Sequence, residues 1–401
     1  MTEHDYAYII VGGGLAGASA VEGIREMDGS GSVLLISNES HLPYHRPPLS
    51  KQLWLGKKKV EDIFVYDRQF YEKNKVTLAL DTEVAKIEPD KKSARSAGGT
   101  TYHFSKLLLA TGGMPRRLPI PGGDLDGICY YRSLDDYLQI RKDAGEGRTA
   151  VVVGGGFIGS EIAAALVVNG VNVTMIFPEP YLCSRVFPES LGIAVQNSYI
   201  SRSVTVFAGD RPQSFEKRGD VFVTATEKGR RVESDLLIAG IGLEPSIGLA
   251  KGAGLRTGNG IVVDEYLRTS HPDIYAAGDN ALFPYQALGR PMRIEHWDNA
   301  LNQGKQAGRN MAGATEPFTY MPYFFSDLFE FGYEAVGEVS AGLETFADWQ
   351  KENDTGVIYY LKDRKVRGVM LCNVWEKVDA ARELIRRGEK VTPEGLRGVI
   401  R

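Results

Sequence analysis

The chain has 401 residues, 43% hydrophobic and 24% charged, a balance that builds packed cores and excludes a disordered or fibrous protein. A net charge of -4 gives no basis for nucleic-acid binding, and three cysteines without paired spacing (Cys129, Cys183, Cys372) exclude a disulfide scaffold or a zinc knuckle. No apolar run approaches the roughly 20 residues that span a bilayer, and the opening Met1-Thr2-Glu3-His4-Asp5 has neither a basic region nor the apolar core of a leader, so a reducing, cytoplasmic location without a membrane span is expected.

In chain order, a β-type run at 8–11 enters Gly12-Gly13-Gly14-Leu15-Ala16-Gly17. A helical run to Met27, a strand at 33–36 and the pair Asn38-Glu39 follow. Such a loop needs glycine for its tight turn, for close approach of backbone to a pyrophosphate, and for packing of helix on strand. The element Leu42-Pro43-Tyr44-His45-Arg46-Pro47-Pro48-Leu49-Ser50-Lys51 comes next. The basic run Lys57-Lys58-Lys59, answered by Glu61-Asp62, reads either as a solvated face or as a dock for an acidic partner. A strand at 101–110 runs into Thr111-Gly112-Gly113, and Pro115, Pro119 and Pro121 mark an exit from that fold.

The grammar then repeats. A strand at 150–153 enters Gly154-Gly155-Gly156-Phe157-Ile158-Gly159, and a helix at 158–169 and a strand at 171–177 lead to Glu179. In each unit an acidic residue follows the last glycine by about 20 residues, the spacing of a ribose-hydroxyl acceptor. Two complete βαβ units predict two dinucleotide sites. Further strands at 221–223 and 235–241 precede Gly242-Leu243-Glu244-Pro245. After strands at 261–264 and 274–277, Gly278-Asp279 stands at a strand's carboxyl edge, where open α/β sheets bind ligands; Asp279 also reads as a helix N-cap. A helix at 297–311, a linker at 313–317, an aromatic-rich stretch from Phe318 and an amphipathic helix at 377–387 complete the chain.

Both fingerprints, the Thr111-Gly112 strand end and Ala277-Gly278-Asp279, in that order, make the whole chain resemble the two-dinucleotide flavoprotein oxidoreductases. Those enzymes bind FAD in an outer domain and a nicotinamide cofactor in an inserted one. The 42–51 element stands where disulfide reductases of this superfamily carry a cysteine pair, so dithiol chemistry is not expected. Phe177-Pro178-Glu179 with Arg185 and Pro188-Glu189, Gly242-Leu243-Glu244-Pro245, Arg293-Ile294-Glu295-His296, Ser326-Asp327-Leu328 and Gly332-Tyr333-Glu334-Ala335 are similar to the apoptosis-inducing factor group. A long C-terminal insertion and a mitochondrial presequence are missing, and Phe325 replaces a tryptophan. A compact microbial-type relative is the description that fits.

The resemblance implies an α/β fold of two Rossmann-like domains, glutathione-reductase-like. It assigns 1–116 and 243–314 to FAD, 117–242 to NAD, and 315–401 to a small α+β interface domain. It further implies that Gly12, Gly14 and Gly17 hold the pyrophosphate of non-covalent FAD and that Asn38 or Glu39 takes its ribose. Arg46, Lys51, Val84, Ala110, Thr111, Gly112, Arg132, Gly278, Asp279, Glu295, His296 and Trp297 are its other flavin contacts. Lys51 and Glu161 map to a flavin-side ion pair and, with His296, are the catalytic candidates; the bland alternatives are an exposed Lys51, a Glu161 that complements a helix dipole, and a structural histidine. Gly154, Gly156, Phe157, Ile158, Gly159, Glu179, Arg185, Gly242 and Glu334 form the implied NAD site. Glu179 repels a 2′-phosphate and favours NADH, whereas Arg185 pulls the other way. Phe325 is either stacked on the nicotinamide or flavin or part of a domain core. No metal site is expected.

These residues predict hydride transfer from NADH to the flavin, then electron transfer to oxygen, a quinone or a small redox protein. The alternatives are a ferredoxin or rubredoxin reductase of an oxygenase system, and a redox-gated, NAD-dependent protein-binding module with a redox-dependent homodimer.

Overall fold

The computed structural model describes residues 3–400; Met1 and Thr2, on which the leader expectation partly falls, and Arg401 lie outside them. The chain divides into two compact units. One comprises the chain up to His45, Val60–Met114 and Glu244–Pro322; the other comprises Arg46–Lys59, Pro115–Leu243 and the chain from Tyr323 onward.

In the first unit, parallel strands stand in the order Val76–Ala79, Val33–Ile36, Glu3–Val11, Thr101–Leu109 and Ile274–Ala276. Every residue of Val33–Ile36 is buried, as expected of a parallel strand covered on both faces. The antiparallel hairpin of Val84–Glu88 and Ser93–Ser96 joins the sheet along the start of Thr101–Leu109. Helices Leu15–Met27 and Trp297–Met311 pack on one another through small residues. A Cβ added to Gly304 would lie 2.2 Å from the Ala16 carbonyl oxygen, and one on Gly308 would lie 2.1 Å from that of Ala20. The backbones therefore touch. Outside this seam, Lys305 pairs with Glu22 and Glu26 at 2.8 and 2.7 Å, and Arg309 pairs with Glu26 and Glu316, both at 2.8 Å. Residues 318–322 stay with this unit: the Phe318 N–H donates to the Glu265 carbonyl and its ring meets that of Phe283.

In the second unit, parallel strands run in the order Thr205–Ala208, Asn172–Phe177, Thr149–Val153, Leu236–Ala239 and Cys129–Tyr130. Helix Phe157–Val168 is buried from Gly159 through Leu166, so it is apolar nearly all round. An antiparallel sheet of Pro212–Arg218, Val221–Thr226 and Arg231–Ser234 sends Phe215 and Phe222 into a core with Tyr130, Val151, Val153, Ile176 and Leu237. From Tyr323 the chain forms an antiparallel sheet ordered Tyr323–Leu328, Phe331–Gly337, Lys365–Cys372, Thr355–Lys362 and Glu344–Lys351. Helix Val378–Arg387 buries Ala381, Arg382 and Ile385.

Because helix Trp297–Met311 depends on backbone contact, Gly308→Leu is expected to cost about 1–3 kcal/mol by overpacking. Lys305→Ala, which removes only partly exposed ion pairs, is expected to cost at most about 1 kcal/mol. Chemical denaturation of both variants measures the difference; equal losses would show that the charges, not the close approach, hold the pair.

Candidate functional site

The first unit's glycine loop is dictated by sterics. Gly12 has φ +124°, and a Cβ there would sit 2.1 Å from the Ala110 carbonyl oxygen, so no side chain fits. Gly14 is the N-cap of helix Leu15–Met27, has no side-chain cap, and opens onto space with no heavy atom within 4 Å of its would-be Cβ. Unpaired N–H groups at such an end attract an anion. Past the next strand Asn38 is exposed, whereas half-buried Glu39 accepts a 2.6 Å hydrogen bond at Oε2 from the Tyr44 hydroxyl.

Val84 and Ala110 are buried. Thr111 donates to the Ser246 carbonyl at 2.7 Å and accepts from Asn280 Nδ2 at 2.9 Å, beside Gly112 at φ +60°. The Gly278 N–H donates to Gln303 Oε1 at 2.9 Å, while Arg293 Nη1 donates to the Asp279 carbonyl at 2.9 Å and pairs with Glu295 at 2.5 Å. The N-cap reading of Asp279 is corrected: the chain turns and enters strand Ala281–Tyr285, which pairs with Gly260–Val262 and Arg290–Met292. Long-range pairing there overrides the local cap signal. His296 is the N-cap residue of helix Trp297–Met311 without a side-chain bond to it. Its ring keeps some accessible surface, yet the dense protein around it pushes the imidazole down from 6.5 to about 4, against the pull of Asp279. Trp297 Nε1 donates to His45 Nδ1 at 2.9 Å.

The second unit repeats the loop. Gly154 has φ +118°, its would-be Cβ lies 2.4 Å from the Gly240 carbonyl oxygen, and Gly156 caps helix Phe157–Val168 with nothing within 4 Å. Gly159 is buried, Phe157 half-buried and Ile158 exposed. Glu179 pairs with Arg185 at 3.2 Å; the arginine side chain is 87% exposed, so this contact contributes little. Gly242, at φ +98°, accepts from the Arg116 N–H at 3.0 Å. Arg46 Nη1 donates to the Arg132 carbonyl at 2.7 Å.

Lys51 and Glu161 meet in this same unit. The single turn Pro47–Ser50 delivers Lys51 Nζ to 2.8 Å from Glu161 Oε1, with both side chains at most 7% exposed. An exposed Lys51 is thereby ruled out. Two serines from motifs that the sequence singled out without giving them this role complete the arrangement: Ser326 Oγ donates to Glu161 Oε1 at 2.5 Å, and Ser50 Oγ donates to Oε2. Lys51 Nζ also lies 4.8 Å from the Phe325 ring centroid, a cation–π contact. Across the strand pair from Phe325 stands Glu334; burial raises its carboxyl pKa, Arg382 opposes this in part, and its Oε2 is buried without a hydrogen-bond partner.

The open spaces at Gly14 and Gly156 fit a pyrophosphate in each unit, and the orphaned oxygen of Glu334 fits a polar ligand group. Residues 6–304 match the family described as Pyridine nucleotide-disulphide oxidoreductase. The chain belongs to that family. Residues 307–355 and 347–387 match the C-terminal domain described as Apoptosis-inducing factor, mitochondrion-associated. Rubredoxin-NAD(+) reductase of Pseudomonas putida is 35% identical over 346 residues, which is 86% of this chain and 88% of that one. The ferredoxin--NAD(+) reductase component of the anthranilate 1,2-dioxygenase system of Burkholderia cepacia is 34% identical over 394 residues, 97% and 96% of the two chains. Putidaredoxin reductase, solved as a covalent complex with putidaredoxin, superposes with a TM-score of 0.91 at 31% identity, covering 98% of this chain and 95% of that one. As a member of this oxidoreductase family, the protein is an FAD-dependent NAD(P)H oxidoreductase with FAD and NAD(H) as its cofactors. No helix among the described residues is long and apolar enough to cross a membrane.

Removing one partner of a buried ion pair strands the other charge, so Glu161→Leu and Lys51→Met are each expected to cost about 3–5 kcal/mol. The Lys51→Met/Glu161→Leu double variant is expected to lose less than the sum. Urea denaturation of all four proteins completes the cycle, and strict additivity would contradict the coupling.

Proposed function

We propose that this protein is an NADH-dependent flavoprotein reductase that delivers electrons to a small redox protein of the ferredoxin or rubredoxin kind. The observation that carries the reading is the pair of like-built glycine cradles in one chain, each followed by a strand with an acidic residue just beyond its end, Glu39 after Val33–Ile36 and Glu179 after Asn172–Phe177. The rubredoxin and ferredoxin reductases named above, similar over most of both chains, support the choice of acceptor class. When bound, FAD supplies acceptance of a hydride and release of electrons.

The proposed roles belong to this chain's own groups. In the first unit, Gly12, Gly14 and Gly17 orient a pyrophosphate and Glu39 holds a ribose. Val84, Ala110, Thr111, Gly112, Gly278, Asp279, Glu295, His296 and Trp297 line the flavin, and the uncapped start of helix Trp297–Met311 favours negative charge on the ring. His296, neutral near neutral pH, adds no positive charge of its own to that effect. In the second unit, Gly154, Gly156, Phe157, Ile158 and Gly159 hold the NADH pyrophosphate, and Glu179 takes its adenosine ribose and disfavours NADPH. Phe325, Glu334, Arg185 and Gly242 complete that proposed site. Arg46, Lys51 and Arg132 are further flavin contacts by resemblance; Lys51 supplies a fixed cation that Glu161 keeps charged away from water. On this reading 1–116 and 243–314 serve FAD, 117–242 serves NADH, 315–401 forms an interface domain, and the protein works in the cytoplasm.

The apoptosis-inducing-factor match over residues 307–387 favours a second reading, in which slow reoxidation retains NAD and changes the surface offered to a protein partner or to a second copy of the chain. Steady-state NADH oxidation with ferredoxin, with rubredoxin and with oxygen alone separates the two. A marked rise in rate with one of the small redox proteins is expected. A rate that none of them raises above the oxygen background would reject the first reading in favour of the second.

A further inference from the structure

Among the described residues the side chain of Glu179 makes one polar contact, the ion pair with exposed Arg185, which cannot fix it firmly. Its backbone is held differently. The Gly209 N–H donates to the Glu179 carbonyl at 2.9 Å, and the next N–H, that of Asp210, donates to the carbonyl of Phe177 at 3.1 Å. Phe177 is the last residue of the strand that presents Glu179. The turn at 209–210 thus grips both sides of the bend that carries the carboxylate.

That turn is itself locked from below. The Asp210 side chain is fully buried, and its Oδ2 lies 2.5 Å from Nη1 of Arg230. Its Oδ1 accepts from the backbone N–H groups of Arg211 at 2.9 Å and Lys228 at 3.2 Å. Burial pushes the Asp210 carboxyl up, but these bonds together with one from Thr226 outweigh it and hold the group below the usual range, ionised at neutral pH. Arg230 is held in turn: its guanidinium lies 4.4 Å from the Phe207 ring centroid, and its backbone N–H donates to Thr226 Oγ1 at 3.2 Å. Phe207 belongs to strand Thr205–Ala208, which pairs directly with Asn172–Phe177. The hairpin between Val221–Thr226 and Arg231–Ser234 therefore reaches across to brace the end of another sheet.

We propose that Asp210 and Arg230 are positioning residues that set Glu179 for the adenosine ribose diol of NADH, and so share in the discrimination between NADH and NADPH. The inference rests on the reading of Glu179 as the ribose acceptor. A carboxylate that must bond two adjacent hydroxyls tolerates little displacement, because a small misplacement costs much of the interaction. Without Arg230, the buried Asp210 carboxylate loses its cation and the 209–210 turn loses its anchor.

The test uses the full-length, flavin-loaded protein and compares wild type, Arg230→Ala, Arg230→Lys, Asp210→Asn, Glu179→Ala and the Glu179→Ala/Arg230→Ala double variant. Donors are NADH, NADPH and reduced nicotinamide mononucleotide, which has no adenosine ribose. Arg230→Ala and Asp210→Asn are expected to raise KM for NADH roughly tenfold, the loss of one charge-assisted hydrogen bond, with kcat unchanged and the preference over NADPH narrowed. Arg230→Lys recovers part of the loss, and turnover with the mononucleotide does not change. The double variant is expected to match Glu179→Ala alone, because Arg230 acts through Glu179.

A mononucleotide reaction impaired as much as that of NADH would overturn the proposal by showing general damage. Arg230→Ala and Asp210→Asn proteins with wild-type KM for NADH, or a double variant whose losses multiply in full, would overturn it equally. Failure of the underlying reading gives a different signature: Glu179→Ala itself then leaves KM for NADH and the NADPH ratio unchanged. Since Arg230 is partly exposed, its truncation opens no core cavity, and Asp210→Asn keeps the shape of the buried side chain, so two independent variants report on one link.

Discussion

A single buried carboxylate organises the second unit. Glu161 sits buried inside a helix that is apolar apart from it and Ser160, where an unpaired charge would cost several kcal/mol. It is kept there by Lys51, Ser50 and Ser326, which come from a turn before the nucleotide loop and from a strand near the end of the chain. Two remote stretches must converge on that helix before the charge is satisfied. The helix they converge on begins at Gly156, so the same contacts that pay for the buried charge also fix the nucleotide cradle. Tyr199, whose hydroxyl donates to the Ser160 carbonyl at 2.9 Å, and the Phe157 ring against Phe324 and Tyr333 brace the same helix.

The two cradles share a backbone solution but hold their acids differently. Glu39 takes a hydrogen bond from a neutral phenol, that of buried Tyr44, which orients the carboxylate and leaves its charge intact. Glu179 has an exposed arginine on its side chain and a braced turn beneath its backbone.

Much of this was legible in the sequence because it is local. The glycine loops announce themselves since backbone approach admits no side chain at Gly12 or Gly154, and the apolar runs beside them have only one partner geometry. The predicted helix at 297–311 coincides with Trp297–Met311, and the one at 158–169 lies within one residue of Phe157–Val168 at each end, because periodicity and the flanking glycines agree. Asp279 misled as an N-cap because strand Ala281–Tyr285 owes its form to partners at 260–262 and 290–292, which local propensity does not reveal. Ser50 and Ser326 stand in motifs that carry the family resemblance, but nothing local marks either as a partner of Glu161; a serine becomes a donor to a buried acid only once tertiary packing brings it there. Asp210 was hidden in the same way, one aspartate after a glycine among many surface turns, until Arg230 and the Phe177 carbonyl were seen beside it.

The account stands on two dinucleotide cradles serving one electron path, and an anaerobic titration of the purified protein with NADH tests that most directly. One FAD per chain, bleached by about one equivalent of NADH in a two-electron step, is the result it predicts. A preparation that binds no FAD even when supplied with it, or a bound flavin that NADH leaves oxidised, would contradict it.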